Sequence, residues 1–142
     1  MSMESTHPRM IARTGKKSRK VRLGIDFKNA NIEVPPFPDA QFDVVLSTLM
    51  LHHLPRTVRE DGLREIHCVL EPAGRVLVVD FGGTEQQKGL IARFHRRHGH
   101  VKPVEFVAWL NTAGLNVIGS GVVGFRDWHF ALAASPFGGT GR

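Results

Sequence analysis

Two apolar runs constrain this chain more than anything else in it: Phe42-Asp43-Val44-Val45-Leu46-Ser47 and Arg75-Val76-Leu77-Val78-Val79-Asp80-Phe81. Both are compact and rich in β-branched and aliphatic residues, the pattern of strands buried on both faces of a parallel sheet. Between them Val58, Leu63, Ile66, Val69 and Leu70 recur at roughly helical spacing, and Thr57-x-x-Glu60 predicts a capping box at the helix start. Proline in Glu71-Pro72-Ala73-Gly74 ends that helix. Strand, helix and strand together make the crossover unit that parallel strands require.

Around this unit the rest of the chain is read outward. Gly24 to Ala30 predicts a turn and a short strand, and Val34-Pro35-Pro36-Phe37-Pro38-Asp39 a loop. Downstream, Pro103 to Ala113 predicts a helix with Val104, Val107, Ala108 and Leu110 on its apolar side, closed by a Gly114 cap. Leu115 to Gly119 and Asp127 to Ala133 predict two closing strands joined by a glycine-rich turn. Three segments result: a basic helical segment at 1–24, an α/β domain at 25–134 and a flexible tail at 135–142.

The charge is uneven. Residues 1–28 hold eight Lys and Arg against Glu4 and Asp26, which accounts for the whole net charge of +6. Arg9, Arg13, Lys16, Lys17 and Lys20 fall three or four apart, as on one solvated helical face. No aromatic residue interleaves them to stack on bases, which disfavours nucleic acid as the partner. No stretch approaches the roughly 18 apolar residues of a membrane span. Cys68 is the single cysteine, which excludes an internal disulfide, and no apolar signal core follows Met1, so a cytoplasmic setting is expected.

Taken in order, Pro36-Phe37-Pro38-Asp39, Phe42 to Ser47, Leu51-His52-His53-Leu54, Arg64-Glu65-Ile66, Val69-Leu70, Pro72 and Gly74 to Asp80 resemble the class I S-adenosylmethionine-dependent methyltransferases. The similarity is to the small-molecule branch that includes the ubiquinone and menaquinone biosynthesis enzymes. Phe106-x-x-Trp109-Leu110-x-x-Ala113-Gly114-Leu115 is similar to the helix and turn before that family's penultimate strand. The resemblance implies a partial Rossmann-like α/β fold, a mostly parallel sheet with an antiparallel hairpin at its carboxyl end. It also implies a first strand-helix-strand unit with a glycine-rich loop, which is expected to be missing here. In the family's strand order that unit lies between the strands at Ile25 and Asp43, so an unpaired strand edge and self-association are expected.

The same resemblance assigns S-adenosylmethionine as cofactor and a small molecule as methyl acceptor. It puts Ala30 and Asn31 beside the adenine, with Asn31 where the family carries an acid, and the backbone of Ser47, Thr48 and Leu49 along the methionine side. His52 and His53 follow a buried strand at the crevice rim, where neutral imidazole can accept a proton. Asp80 is expected to be a structural hydrogen-bond acceptor, Cys68 a small core residue, and Trp109 and Trp128 pocket or core. His95, His98 and His100 lack a matching Cys or carboxylate, so a lid is expected there rather than a metal site. Ala73 stands where the family usually has glycine, which predicts a type I turn. The contrasting reading is a non-catalytic remnant, or a pseudoenzyme that binds a partner.

Overall fold

The computed structural model describes residues 16, 24–26, 28–81, 102–124 and 128–136. In chain order these form β1 (Phe42–Thr48), a 3-10 turn (Leu51–His53), α1 (Arg56–Val69), β2 (Leu70–Phe81), α2 (Pro103–Thr112), β3 (Asn116–Val122) and β4 (Trp128–Ala134). The sheet order is β1-β2-β4-β3. β1 and β2 pair in parallel, and β4 lies antiparallel between β2 and β3. The mixed α/β sheet with its closing hairpin is the partial Rossmann-like architecture expected.

The parallel ladder sets Val45 opposite Val76, Ser47 opposite Val78 and Thr48 opposite Val79. Along β2, Val76, Val78 and Asp80 are buried on one face while Leu77, Val79 and Phe81 are half-buried on the other. The buried face carries both helices. Leu51, Leu63, Val76, Val78, Leu110 and Leu115 are each at most 1% exposed there, and each side chain so buried contributes about 1.5–3 kcal/mol. On the opposite face Val44 and Leu46 are 59% and 62% exposed. Among the described residues β1 has a strand neighbour on one side only.

Several expectations needed correction. Residues 24–26 and 28–30 form no strand, although β1 has no strand neighbour on its other side among the described residues. The capping box at Thr57 does not form, because α1 starts two residues earlier, with Pro55 as its cap, and Thr57 falls inside the first turn. Glu60 instead accepts a 2.7 Å hydrogen bond from Arg56 Nε. At the far end of the domain, the cap on α2 is as expected. Gly114 has φ 86°, its N–H donates to Asn111 O, and Leu115 N–H donates to Leu110 O, a Schellman arrangement. Apart from Lys16 and Gly24, the basic segment at 1–24 lies outside the described residues. The same holds for His95, His98, His100 and the tail from residue 137.

The turn between α1 and the paired part of β2 is the clearest correction. Ala73 adopts φ 63°, the left-handed region rather than a type I turn. The ladder explains why: Phe42 pairs with Leu70, but Val44 pairs with Arg75, so the extra residues must be looped out in a very short span. At the neighbouring Gly74, an added Cβ would sit 2.8 Å from Glu71 O and 3.1 Å from Phe42 O, both fixed backbone atoms. Left-handed backbone costs an L-residue about 1–2 kcal/mol, which glycine escapes. Ala73→Gly is therefore expected to stabilise the fold by about 0.5–1 kcal/mol after glycine's larger unfolded-state entropy is subtracted. Gly74→Ala is expected to destabilise it by more than that. Urea unfolding midpoints check both.

Candidate active site

Parallel pairing brings the carboxyl ends of β1 and β2 side by side, and the chain leaves each in a different way. After Thr48, Leu49 N–H donates to Val79 O at 2.8 Å, which extends the ladder by one bond. Leu49 then takes φ 53° and turns the chain off the sheet. Leu51 and Leu54, both buried, anchor the following 3-10 turn in the core. His52, between them, is thereby carried over the end of β2, where Asp80 points from the buried face.

The Asp80 carboxylate is 1% exposed and accepts three hydrogen bonds. His52 N–H reaches Oδ2 at 3.0 Å, Phe81 N–H reaches Oδ1 at 2.9 Å, and the His52 ring pairs with Oδ1 through Nδ1. A carboxylate can only accept, so Nδ1 carries a proton, and in the neutral ring the lone pair is on Nε2. The ring is held as well as oriented. Its edge meets Phe81 at 5.2 Å between centroids, and His53 stacks on it at 3.7 Å. The His52 side chain is 5% exposed, whereas His53 is exposed. Opposite Asp80 on β4 lies His129, buried, with Nε2 lacking a hydrogen-bond partner among the described residues.

Of the residues expected at the cofactor, three stand together at the end of β1. Ser47 is buried and its Oγ has no partner among the described residues; Thr48 is exposed and Leu49 half-buried. Ala30 and Asn31 are exposed on the loop before β1. Asn31 O accepts from Val34 N–H at 3.2 Å, and the next residue, Ile32, packs over Gly62 of α1. Cys68 is half-buried. Among the described residues no three His, Cys, Asp or Glu side chains converge to hold a metal ion, and no described helix is long and apolar enough to cross a membrane.

A groove of about 690 Å³ runs between α1 and α2 from His52 along Arg56, Arg59 and Trp109. The Arg59 guanidinium lies over the Trp109 ring, 3.6 Å from its centroid, and burial lowers the pKa of Arg59 from its ordinary value. Sequence reasoning left Trp109 undecided between pocket and core. The structure places it in both: its ring packs against Phe106 at 5.4 Å and lines the groove. The His52–Asp80 pair was missed altogether, although Asp80 is the penultimate residue of β2 and His52 lies four residues after β1, where the register brings the two strand ends together.

A parallel strand pair with a crossover helix and a buried acid at a strand end are features of a Rossmann-like α/β domain. Residues 5–78 match the methyltransferase-domain family, and the chain belongs to it. It is 30% identical over 77 residues to the ubiquinone/menaquinone biosynthesis C-methyltransferase UbiE of Shewanella oneidensis, covering 54% of this chain and 30% of that protein. The chain thus spans under a third of the length of such relatives. A S-adenosylmethionine-dependent methyltransferase from Aquifex aeolicus superposes with TM-score 0.73 at 20% identity, over 90% of this chain and 64% of that one. The [4+2]-cyclase SpnF superposes with TM-score 0.76 at 17% identity, over 90% and 63%. At these identities the likeness is one of fold, and a single fold hosts different reactions.

The three bonds to Asp80 make a specific expectation. Asp80→Asn replaces one acceptor oxygen with a donor facing N–H groups and should cost about 1–3 kcal/mol of stability. In nitrogen-15 spectra of histidine-labelled protein, His52 should favour the Nδ1-protonated tautomer, a preference that Asp80→Leu, which leaves no acceptor, should abolish.

Proposed function

We propose that this domain transfers a methyl group from S-adenosylmethionine to a small-molecule acceptor, with His52 as the general base. The observation that carries this reading is the His52–Asp80 pair at the carboxyl end of β1 and β2. In the neutral ring it leaves the lone pair on Nε2, in a residue that also lines the groove. Asp80 acts through His52: it holds the tautomer and would stabilise the imidazolium formed when Nε2 takes the acceptor's proton.

The cofactor fits the chain's own polar inventory at the end of β1. The unpartnered buried Ser47 Oγ, the exposed Thr48 and the positive-φ Leu49 offer donors and acceptors to its methionine end. On the loop before β1, Ala30 and the Asn31 amide are proposed to meet the adenine, with the amide oxygen accepting a bond from its amino group. When bound, the cofactor supplies an electrophilic sulfonium methyl, and positioning then does most of the catalytic work. A cytoplasmic setting and self-association through the open β1 edge are part of the same proposal.

Calorimetric titration of S-adenosylhomocysteine into purified, folded residues 1–142 tests the reading. Micromolar binding is expected. Absence of heat would overturn it in favour of a remnant that no longer holds cofactor. With an acceptor found by screening, His52→Gln is expected to keep product affinity and lower kcat by about 10²-fold, the lower end of what general bases contribute.

A further inference from the structure

We propose that the groove between α1 and α2 binds the carboxylate of a small anionic acceptor, held by Arg59. The identity of the occupant as acceptor rests on the methyl-transfer reading above; the anion site does not.

Three guanidinium groups line the groove, and two of them are already paired. Arg56 Nε donates to Glu60 at 2.7 Å, and Arg64 Nη1 donates to Asp61 at 2.7 Å. Arg59 has no carboxylate within ion-pair distance among the described residues. Its neighbours Glu60 and Glu105 are committed elsewhere: Glu60 to Arg56, and Glu105 Oε2 to Lys102 N–H at 3.0 Å. The Arg59 Nε–H is buried without a partner, and Nη1 reaches only the Leu54 carbonyl, at 3.5 Å. A half-buried cation with an unsatisfied donor is a cost that folded proteins rarely carry without a use.

Trp109 explains how the charge can wait in place. With its central carbon 3.6 Å from the indole centroid, the guanidinium is attracted to the ring face and rests there without pairing to either glutamate. A planar fork fixed in this way matches a carboxylate better than a point charge does. His52 lines the same groove. An acceptor anchored by its carboxylate at Arg59 can therefore extend its nucleophilic end toward Nε2.

The test uses the full chain carrying Trp128→Phe, so that Trp109 alone reports by fluorescence. It is titrated with 4-hydroxybenzoate and, separately, with neutral 4-hydroxybenzamide. The carboxylate should change Trp109 emission saturably, at a concentration at least tenfold lower than the amide. Arg59→Met should abolish that difference. Arg59→Lys, the variant to use if the methionine form fails to fold, should reduce it. Arg75→Gln, on exposed β2 surface outside the groove, should leave it unchanged. Equal titration by the two probes, or a carboxylate response that survives loss of the guanidinium, would overturn the site. Carboxylate binding in a protein that takes up no S-adenosylhomocysteine would retain the anion site and remove the transferase reading. Product binding without carboxylate preference would do the reverse.

Discussion

Everything in this domain depends on the parallel ladder between β1 and β2. Parallel strands cannot be joined by a tight turn, so the chain must cross over through α1 and bury one side of that helix against the sheet. The same ladder ends both strands at one edge, with Thr48 opposite Val79. One residue beyond Val79 is Asp80, and four beyond Thr48 is His52. Their contact across 28 positions of sequence is a consequence of strand register. The two bonds donated to Asp80 by backbone N–H groups come from the two chain exits themselves, which ties the exits to one another.

The sheet's two faces differ sharply. One is packed with Leu51, Leu63, Val76, Val78 and Leu110 beneath the helices, while Val44 and Leu46 on the other are largely exposed. A strand with an open edge and exposed valine and leucine is the kind of surface that folded proteins usually cover, pair or guard with charge. Asp43 is the single charge on β1. A shallow apolar hollow beside it, lined by Ile32, Phe37, Phe42 and Val44, continues the same character toward the preceding loop. The order β1-β2-β4-β3 leaves this edge where the family resemblance puts its first strand-helix-strand unit.

The elements were legible in the sequence wherever burial on both faces or a strong terminator fixed them. β1 and β2 follow from uninterrupted aliphatic runs, and α2 from its periodicity between Pro103 and Gly114. Errors arose where local preference yielded to register. Alanine disfavours positive φ, yet Ala73 takes it because the jump in pairing from Phe42 to Val44 leaves no slack. Thr57 favours a cap, yet Pro55 fixes the helix entry earlier, with φ −53°. The site was harder still: His52 was legible as a candidate base and Asp80 only as an acceptor, because neither local pattern nor composition encodes which partner a strand end will meet. Arg59 carried no signal at all, since its role depends on Trp109 one helix away.

The Asp80 carboxylate also shows how a structural requirement and a chemical one can coincide. A buried carboxylate must be saturated with donors or it destabilises the fold. Two backbone N–H groups supply part of that demand, and the His52 ring supplies the rest. In doing so the ring is forced to spend its Nδ1 proton inward. Its other nitrogen stays outside that network. Satisfying the acid in the core thus also fixes the orientation of the His52 ring. For that reason Asp80 can be described as an acceptor that stabilises the fold and as a residue that positions His52, with no conflict between the two.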